Sequence, residues 1–321
     1  MILLVGDHVD PHLLRVAQEL TALGVASRLV NFGDLGQSAA VELQLSSRGR
    51  RSWRLIGEGW TVASDDITAS WVRRRRHPSV ISAVPDPDDR SFARNEWRAT
   101  LDGLLSLLNP KSVVNAQDAE AASRSKIRQL DIAQQLGFAI PDTLVTSSSD
   151  AARAFVERHD RKVIHKALTA PTHWFIETRR WQQDDDLHLE LLSLGPIVLQ
   201  EEISGAGDIR VTVAGENVFA ALIPPSPTAA RLNVVDSRLD VGKQYETYAC
   251  SDLFADQIRK LCAVLGLAIC TLDFKLLASG ELVFFEVNPQ GQFLYVEIMT
   301  RQSIAKAVAA TLVSIAGRGH S

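Results

Sequence analysis

The sequence predicts an α/β protein that turns α+β towards its C-terminus, and three observations carry that reading. The chain opens on an apolar strand, an amphipathic helix and a second strand, which is the pattern of a parallel pair with a right-handed crossover. Its last third places short apolar strands on either side of tight turns, which makes antiparallel hairpins. With 321 residues, 46% of them hydrophobic and 22% charged, it is long enough for two or three packed domains of ordinary globular composition.

In order, residues 2–5 read as a buried strand, 11–23 as a helix stopped by Gly24, and 26–32 as the second strand. No GxGxxG follows the first strand, so nucleotide binding at this end has no support. Residues 48–58 and 59–62 suggest a hairpin, 69–73 a strand that runs into Arg73-Arg74-Arg75-Arg76, and 90–108 a helix ended by Asn109-Pro110. A second block opens with the strand 113–115 and a single helix over 116–136 that carries Lys126 and stops at Gly137. Strand 143–146, a helix from 150 to about 159, and strand 162–167 with Lys166 follow. Residues 168–186 are polar and mixed and read as a mobile flap, with Asp184-Asp185-Asp186 starting a helix over 187–194. The third block holds the strand 197–200, a hairpin of 208–214 and 217–223 turning on Gly215-Glu216, and a helix over 251–265. A second hairpin of 271–277 and 282–287 turns on Ser279-Gly280, and one helix from Glu297 or Thr300 to Ala316 closes the chain. These blocks give expected domains of 1–112, 113–199 and 200–321.

Composition excludes several classes. A net charge of −4 gives no reason to expect a nucleic-acid partner. There is no apolar run of membrane-spanning length and no basic, then apolar, cleavable N-terminus, so no membrane partner is expected. Cys250, Cys262 and Cys270 are odd in number and lack metal-ligand spacing, which points to a reducing cytoplasm.

The chemistry concentrates in the second hairpin. Glu286 lies thirteen residues beyond Asp273, and Asn288 two further. Alternation puts Glu286 and Asn288 on one side of their strand, where Asp273 on the partner strand faces them. Three oxygen ligands without Cys or His suit Mg²⁺; the apolar flanks argue against a merely solvated polar face. Lys126 and Lys166 are candidate point charges for phosphate, against the ordinary surface role of any single lysine. Gln200-Glu201-Glu202-Ile203 ends a buried strand, and the backbone groups left free there can pair with an adenine edge. Asp208 and Arg210 share a strand face, where Arg210 suits a phosphoryl group or a carboxylate, or else a salt-bridged sheet. The four-arginine run is either a solvated charge run or the border of an acyl-acceptor cleft.

Taken in order, these residues resemble the ATP-grasp superfamily from about Asn115 to the C-terminus. More narrowly, several segments are similar to the ATP-grasp ligases that mature ribosomally made peptides, the graspetide or microviridin-type synthetases. They are Trp71-Val72-Arg73-Arg74, the span 115–146 with Lys126 and Ile140-Pro141, and Phe285-Glu286-Val287-Asn288-Pro289-Gln290-Gly291-Gln292-Phe293. The resemblance implies an ATP-grasp fold with an N-terminal pre-ATP-grasp α/β domain, a central lid and a C-terminal domain. It implies that Lys126 and Lys166 bind phosphate and that Gln200, Glu201, Glu202 and Ile203 form the adenine hinge, with Asp208 near the ribose. Asp273, Glu286 and Asn288 would be the metal ligands, and Arg210 would stand beside the reacting phosphoryl group. A second basic residue downstream matches either Arg231 with Asn233 or Asp236 with Arg238. ATP and Mg²⁺ follow as cofactors (a pair of ions, replaceable by Mn²⁺), as do a precursor peptide with leader and core and a cytoplasmic homodimer. A glycine-poor flap after Lys166, and Thr300-Arg301 where Thr-Gly is common, depart from the pattern. A RimK-type ligase that adds a free amino acid, and a nucleotide-binding regulatory module without catalysis, are the alternatives.

Overall fold

A computed structural model of the chain describes residues 1–49, 51–169, 177–227 and 242–318. Its first unit runs β1 (Ile2–Val5), α1 (Pro11–Ala22), β2 (Ser27–Val30), β3 (Ala39–Leu45), β4 (Arg51–Gly57), β5 (Trp60–Ala63), β6 (Ala69–Val72), α2 (Pro87–Ser106) and β7 (Val113–Val114). Asp10 caps α1 by accepting from the His12 N–H, Pro11 follows at the first turn, and Leu13, Val16 and Leu20 make its buried stripe. The parallel sheet has the order β2-β1-β6-β7. The expected hairpin is β4–β5, and β3 adds a third strand to it that the sequence reading omitted. Its residues Val41-Glu42-Leu43-Gln44-Leu45 do alternate apolar with polar, although most of the strand is exposed.

The second stretch comprises α3 (Gln117–Ser123), α4 (Lys126–Gln135), β8 (Thr143–Thr146), α5 (Ser149–Arg158), β9 (Val163–Lys166), β10 (Arg179–Arg180) and β11 (Ile197–Glu201). The single helix expected over 116–136 is therefore two. Ser125 interrupts it by capping a fresh N-terminus, its hydroxyl accepting from the Arg128 N–H at 3.3 Å. Within the stretch read as a mobile flap, Arg179–Arg180 pair with β9, so this part joins the sheet β10-β9-β11-β8; residues 170–176 lie outside the described residues. The helix expected over 187–194 is a 3₁₀ helix over Gln183–Leu194, begun early by Asp185, whose carboxylate accepts from the Gln182 N–H at 2.6 Å.

The last stretch contains β12 (Gly207–Ala214), β13 (Asn217–Ile223), β14 (Glu246–Thr247), α6 (Asp252–Leu265), β15 (Ile269–Leu276), β16 (Leu282–Asn288), α7 (Leu294–Thr300) and α8 (Ile304–Arg318). Its antiparallel sheet runs β14-β13-β12-β15-β16. The one closing helix is also two: Arg301 turns left-handed at φ 58°, and the Glu297 carboxylate accepts from the Ala305 N–H at 2.5 Å to start α8.

Sheet membership departs from the expected boundary at 112. β7 completes the N-terminal sheet, while α3 and α4 pack on α6 and β16 rather than on the β10-β9-β11-β8 sheet. Side chains make these joins. Asn115 donates to the Ile269 carbonyl at 2.7 Å and accepts from Ala268 and Ile269 at 2.8 and 3.0 Å. Gln129 on α4 satisfies both the N–H and the carbonyl of Val287 on the open edge of β16. Helix α8 packs on α1, so one apolar core runs from Ile2 and Leu13 to Val308 and Leu312.

Candidate active site

The site occupies one face of the last sheet. Ile209, Val211, Leu272, Phe274, Phe284 and Val287 turn to the core, which leaves the alternate residues to face outward. Pairing runs Leu276↔Leu282, Lys275↔Val283 and Phe274↔Phe284, and then shifts so that Asp273 opposes Glu286 and Thr271 opposes Asn288. Phe285 is the extra residue of this bulge. Without it Asp273 would oppose Phe285, and Glu286 would fall on the core face. On the other side β12 sets Arg210 opposite Asp273. Arg210, Asp273 and Glu286 therefore form a row across three strands.

Arg210 Nη1 donates to both Asp273 oxygens at 2.6 Å, and Lys126 Nζ lies 3.1 Å from a Glu286 oxygen. Lys126 reaches that position as the first residue of α4, the helix that Gln129 fixes to β16. Lys166 ends β9; burial, together with the charge of Lys126, pushes its pKa down to about 8 against the pull of Glu286. Burial opposes ionisation of Glu286, but Lys126 and Lys166 hold its carboxyl below the usual range. Asp273 is raised by burial and by Glu286, with Arg210 pulling the other way. For Arg210 burial works against the cation, yet the Asp273 carboxylate outweighs it and the pKa is raised. The Asp273 and Glu286 side chains are 31% and 35% exposed, so a cation can reach them. Two carboxylates side by side across a strand pair repel each other; Asn288, opposite Thr271 on the same face, adds an amide oxygen that already accepts from the Gln290 N–H at 2.9 Å and keeps a second lone pair. That donor set fits Mg²⁺.

The hinge residues divide. Gln200 is buried and donates to Thr143 Oγ1 at 2.8 Å, so its side chain joins β11 to β8. The amides of Glu201 and Glu202, expected to be free, donate to the carbonyls of Asp142 and Lys162 at 3.0 and 2.8 Å, because neighbouring loops extend the ladder. The next amide, Ile203, has no such partner among the described residues. The Glu202 carboxylate is gripped by Arg180 at 2.6 to 2.9 Å. Asp208 shares the face of Arg210 and pairs with Lys275. Arg231, Asn233, Asp236 and Arg238 lie outside the described residues.

Sequence reasoning missed a latch beneath the Asn-Pro-Gln-Gly segment. Arg73, 2% exposed, donates to Asp10 at 3.0 Å and to the carbonyls of Gly291 and Gln290 at 3.0 and 3.3 Å. His12 Nε2 accepts from the Phe293 and Leu294 amides at 3.1 and 3.2 Å, which leaves its Nδ1–H to donate to Asp10. Burial lowers the His12 pKa, in keeping with a neutral ring. It opposes the Asp10 charge, but the bonds from His12 and the charge of Arg73 hold that carboxyl far below its usual range. Gly291 is required here, since a Cβ would meet Thr271 Oγ1 at 1.8 Å. The contacts of Arg73 and His12 with the Gly291 and Phe293 backbone span more than 200 residues, so the motifs that hold Arg73 and Gly291 give no sign that the two meet. Arg73→Ala leaves a buried carboxylate and two carbonyls unpaired, so we expect a loss of about 3–5 kcal/mol in denaturant unfolding. A loss below about 1 kcal/mol would remove the latch from the account.

No protein-family model and no curated protein matches the chain. Solved structures do. The macrocyclase MdnC from Microcystis aeruginosa MRC, bound with precursor peptide MdnA, superposes with a TM-score of 0.86 at 22% identity over 98% of this chain and 99% of that one. A Chryseobacterium gregarium RiPP-associated ATP-grasp ligase, in complex with ADP and a leader and core peptide, gives 0.86 at 22% identity over 98% and 96%. A RimK domain ATP-grasp protein from Sphaerobacter thermophilus DSM 20745 gives 0.57 at 18% identity over 97% and 99%.

Proposed function

We propose, on the ATP-grasp fold that this chain shares with those structures, that it is an ATP-dependent carboxylate–amine or carboxylate–hydroxyl ligase. Its substrate is a precursor peptide with leader and core, in which Asp or Glu side chains are closed onto Ser, Thr or Lys side chains. The observation that carries the reading is the convergence of Lys126, Lys166 and Arg210 on the carboxylates of Glu286 and Asp273.

In this reading a substrate carboxylate attacks the γ-phosphate, giving an acyl phosphate and ADP. The amine or hydroxyl then displaces phosphate. Lys126 and Lys166 hold phosphate oxygens as point charges, and the Arg210 fork offsets charge on the transferring group. Asp273, Glu286 and Asn288 would hold Mg²⁺, whose charge would offset that of the phosphates. The unused Ile203 amide is the hinge donor for the adenine edge.

The higher TM-scores with the two peptide-maturing ligases favour this reading over the RimK-type alternative. A regulatory module has no use for so complete a set of charges. The test is incubation with Mg·ATP and a synthetic peptide rich in Ser, Thr, Lys, Asp and Glu, taken from a reading frame beside the gene. We expect ADP and a peptide lighter by one water per bond formed. A peptide heavier by one amino acid would instead support a RimK-type ligase, and binding without ATP consumption a regulatory module. No helix among the described residues is long and apolar enough to cross a membrane. A cytoplasmic homodimer is part of the same proposal, and light scattering tests its oligomeric half.

Lys166 supplies a pH signature. Its pKa of about 8 leaves it charged below that pH and increasingly neutral above it. Phosphate charge favours the protonated form, so ATP binding near pH 8 to 9 should take up a proton, and affinity should fall as pH rises through that window. Calorimetry in buffers of different ionisation enthalpy reads the uptake. Lys166→Ala should lose it together with about 1–3 kcal/mol of ATP affinity, and Lys126→Ala should lose a similar affinity. Equal heats in all buffers for the wild type would take Lys166 off the nucleotide.

A further inference from the structure

The arginine run divides in a way its sequence does not show. Arg73 is buried against Asp10, Arg75 ion-pairs with Asp102, and Arg76 pairs with Asp7 at 2.6 Å. Arg74 is exposed and has no carboxylate partner among the described residues. Its backbone sits at φ 47°, a left-handed conformation that a side chain of this size seldom adopts. Such an outlier persists where its surroundings hold it, and both sides of Arg74 are held. Arg73 is fixed in the latch, and the Arg74 N–H donates to Gln290 Oε1 at 3.3 Å.

The turn brings the Arg74 guanidinium to the loop after β16. With its amide oxygen facing that guanidinium, Gln292 accepts from Nη2 and Nη1 at 3.0 and 3.2 Å. The Gln292 carbonyl also accepts from Arg210 Nη2 at 3.4 Å. Two guanidinium groups from different sheets thus meet at one residue beside the metal-ligand row. One of them is committed to Asp273, while the other rests on a neutral amide. A carboxylate in place of that amide would give Arg74 two charge-assisted bonds in the fork geometry that suits it.

We propose that Arg74 is a specificity-determining residue that binds the substrate carboxylate about to be phosphorylated and turns it towards Arg210. This rests on the ligase reading and names the group that selects its acidic substrate. The probe is N-acetyl-glutamate α-amide, compared with its glutamine counterpart, titrated by ligand-observed NMR onto the full chain with Mg²⁺ and ADP. We expect the wild type to prefer the glutamate probe by about tenfold, the scale of one bond to a charged group. Arg74→Gly should remove that preference with ADP affinity unchanged and a melting temperature equal or higher, since glycine is at ease with positive φ. Arg74→Lys should keep only part of it.

A preference that survives Arg74→Gly overturns the assignment. So does a wild type that does not discriminate, or an Arg74→Gly variant whose loss falls on ADP. The ligase reading is judged apart, by ATP consumption with peptide. Condensed product from the wild type, with the glutamate preference intact in Arg74→Gly, sinks this inference alone. Discrimination by the wild type that depends on Arg74, with no peptide ever driving ATP consumption, sinks the ligase reading and still supports Arg74 as a carboxylate site.

Discussion

Glu286→Gln should reduce turnover by about a thousandfold while leaving the chain folded, the scale expected when a charged contact to the reacting phosphates is removed. Gln has the shape of Glu and lacks its charge. The side chain is 35% exposed, and its ion pair with Lys126 is open to solvent on both sides, so the stability change should stay within about 1 kcal/mol. What is lost is the anionic oxygen opposite Asp273, without which the pair of carboxylates no longer makes a divalent-cation site. The measurement is the rate of ADP release with peptide at rising Mg²⁺, alongside thermal unfolding. A folded variant that reaches wild-type rate at saturating Mg²⁺ would remove Glu286 from the chemistry.

The legible parts of this protein were those fixed by local pattern. The two hairpins follow from period-two alternation and short turns, and at Gly280, with φ 88°, the turn residue states its own conformation. Lys126, Lys166, Arg210 and Glu286 were each identified separately in sequence, and the fold brings them together. One of these convergences depended on something sequence did not show. Asp273 faces Glu286 only because Phe285 bulges, and simple counting from the turn would put the two on opposite faces. The illegible parts were decided by partners far along the chain. Arg73 in a charge run reads as solvated until Asp10 and Gly291 close over it. The hinge amides of Glu201 and Glu202 look free until the Asp142 and Lys162 carbonyls take them. Short elements such as Arg179–Arg180 have too few residues to show a period at all.

Arg210→Ala should bind ATP within about threefold of the wild type and lose about a hundredfold to a thousandfold in rate, because the charge it meets develops after binding. The structure adds a second route to the same loss, which has to be separated. Arg210 also holds Asp273, whose carboxyl burial and Glu286 already push upward. Removing the guanidinium raises it further, so part of the variant's loss comes from protonation of a proposed metal ligand. That part returns as pH rises and as Mg²⁺ is raised; the part due to the transferring phosphoryl group does not. A pH–rate profile of Arg210→Ala at saturating Mg²⁺ therefore divides the two, with most of the deficit expected to persist at pH values where Asp273 is ionised. Full recovery there would make Arg210 a positioning residue that acts through Asp273. Arg210→Lys offers the complementary check, since a point charge restores the sign but not the planar fork, and it should recover only part of the rate. A loss shared equally between ATP affinity and rate would make Arg210 a plain nucleotide contact. Near-normal kinetics in Arg210→Ala would reduce the pair to a salt bridge that merely ties β12 to β15.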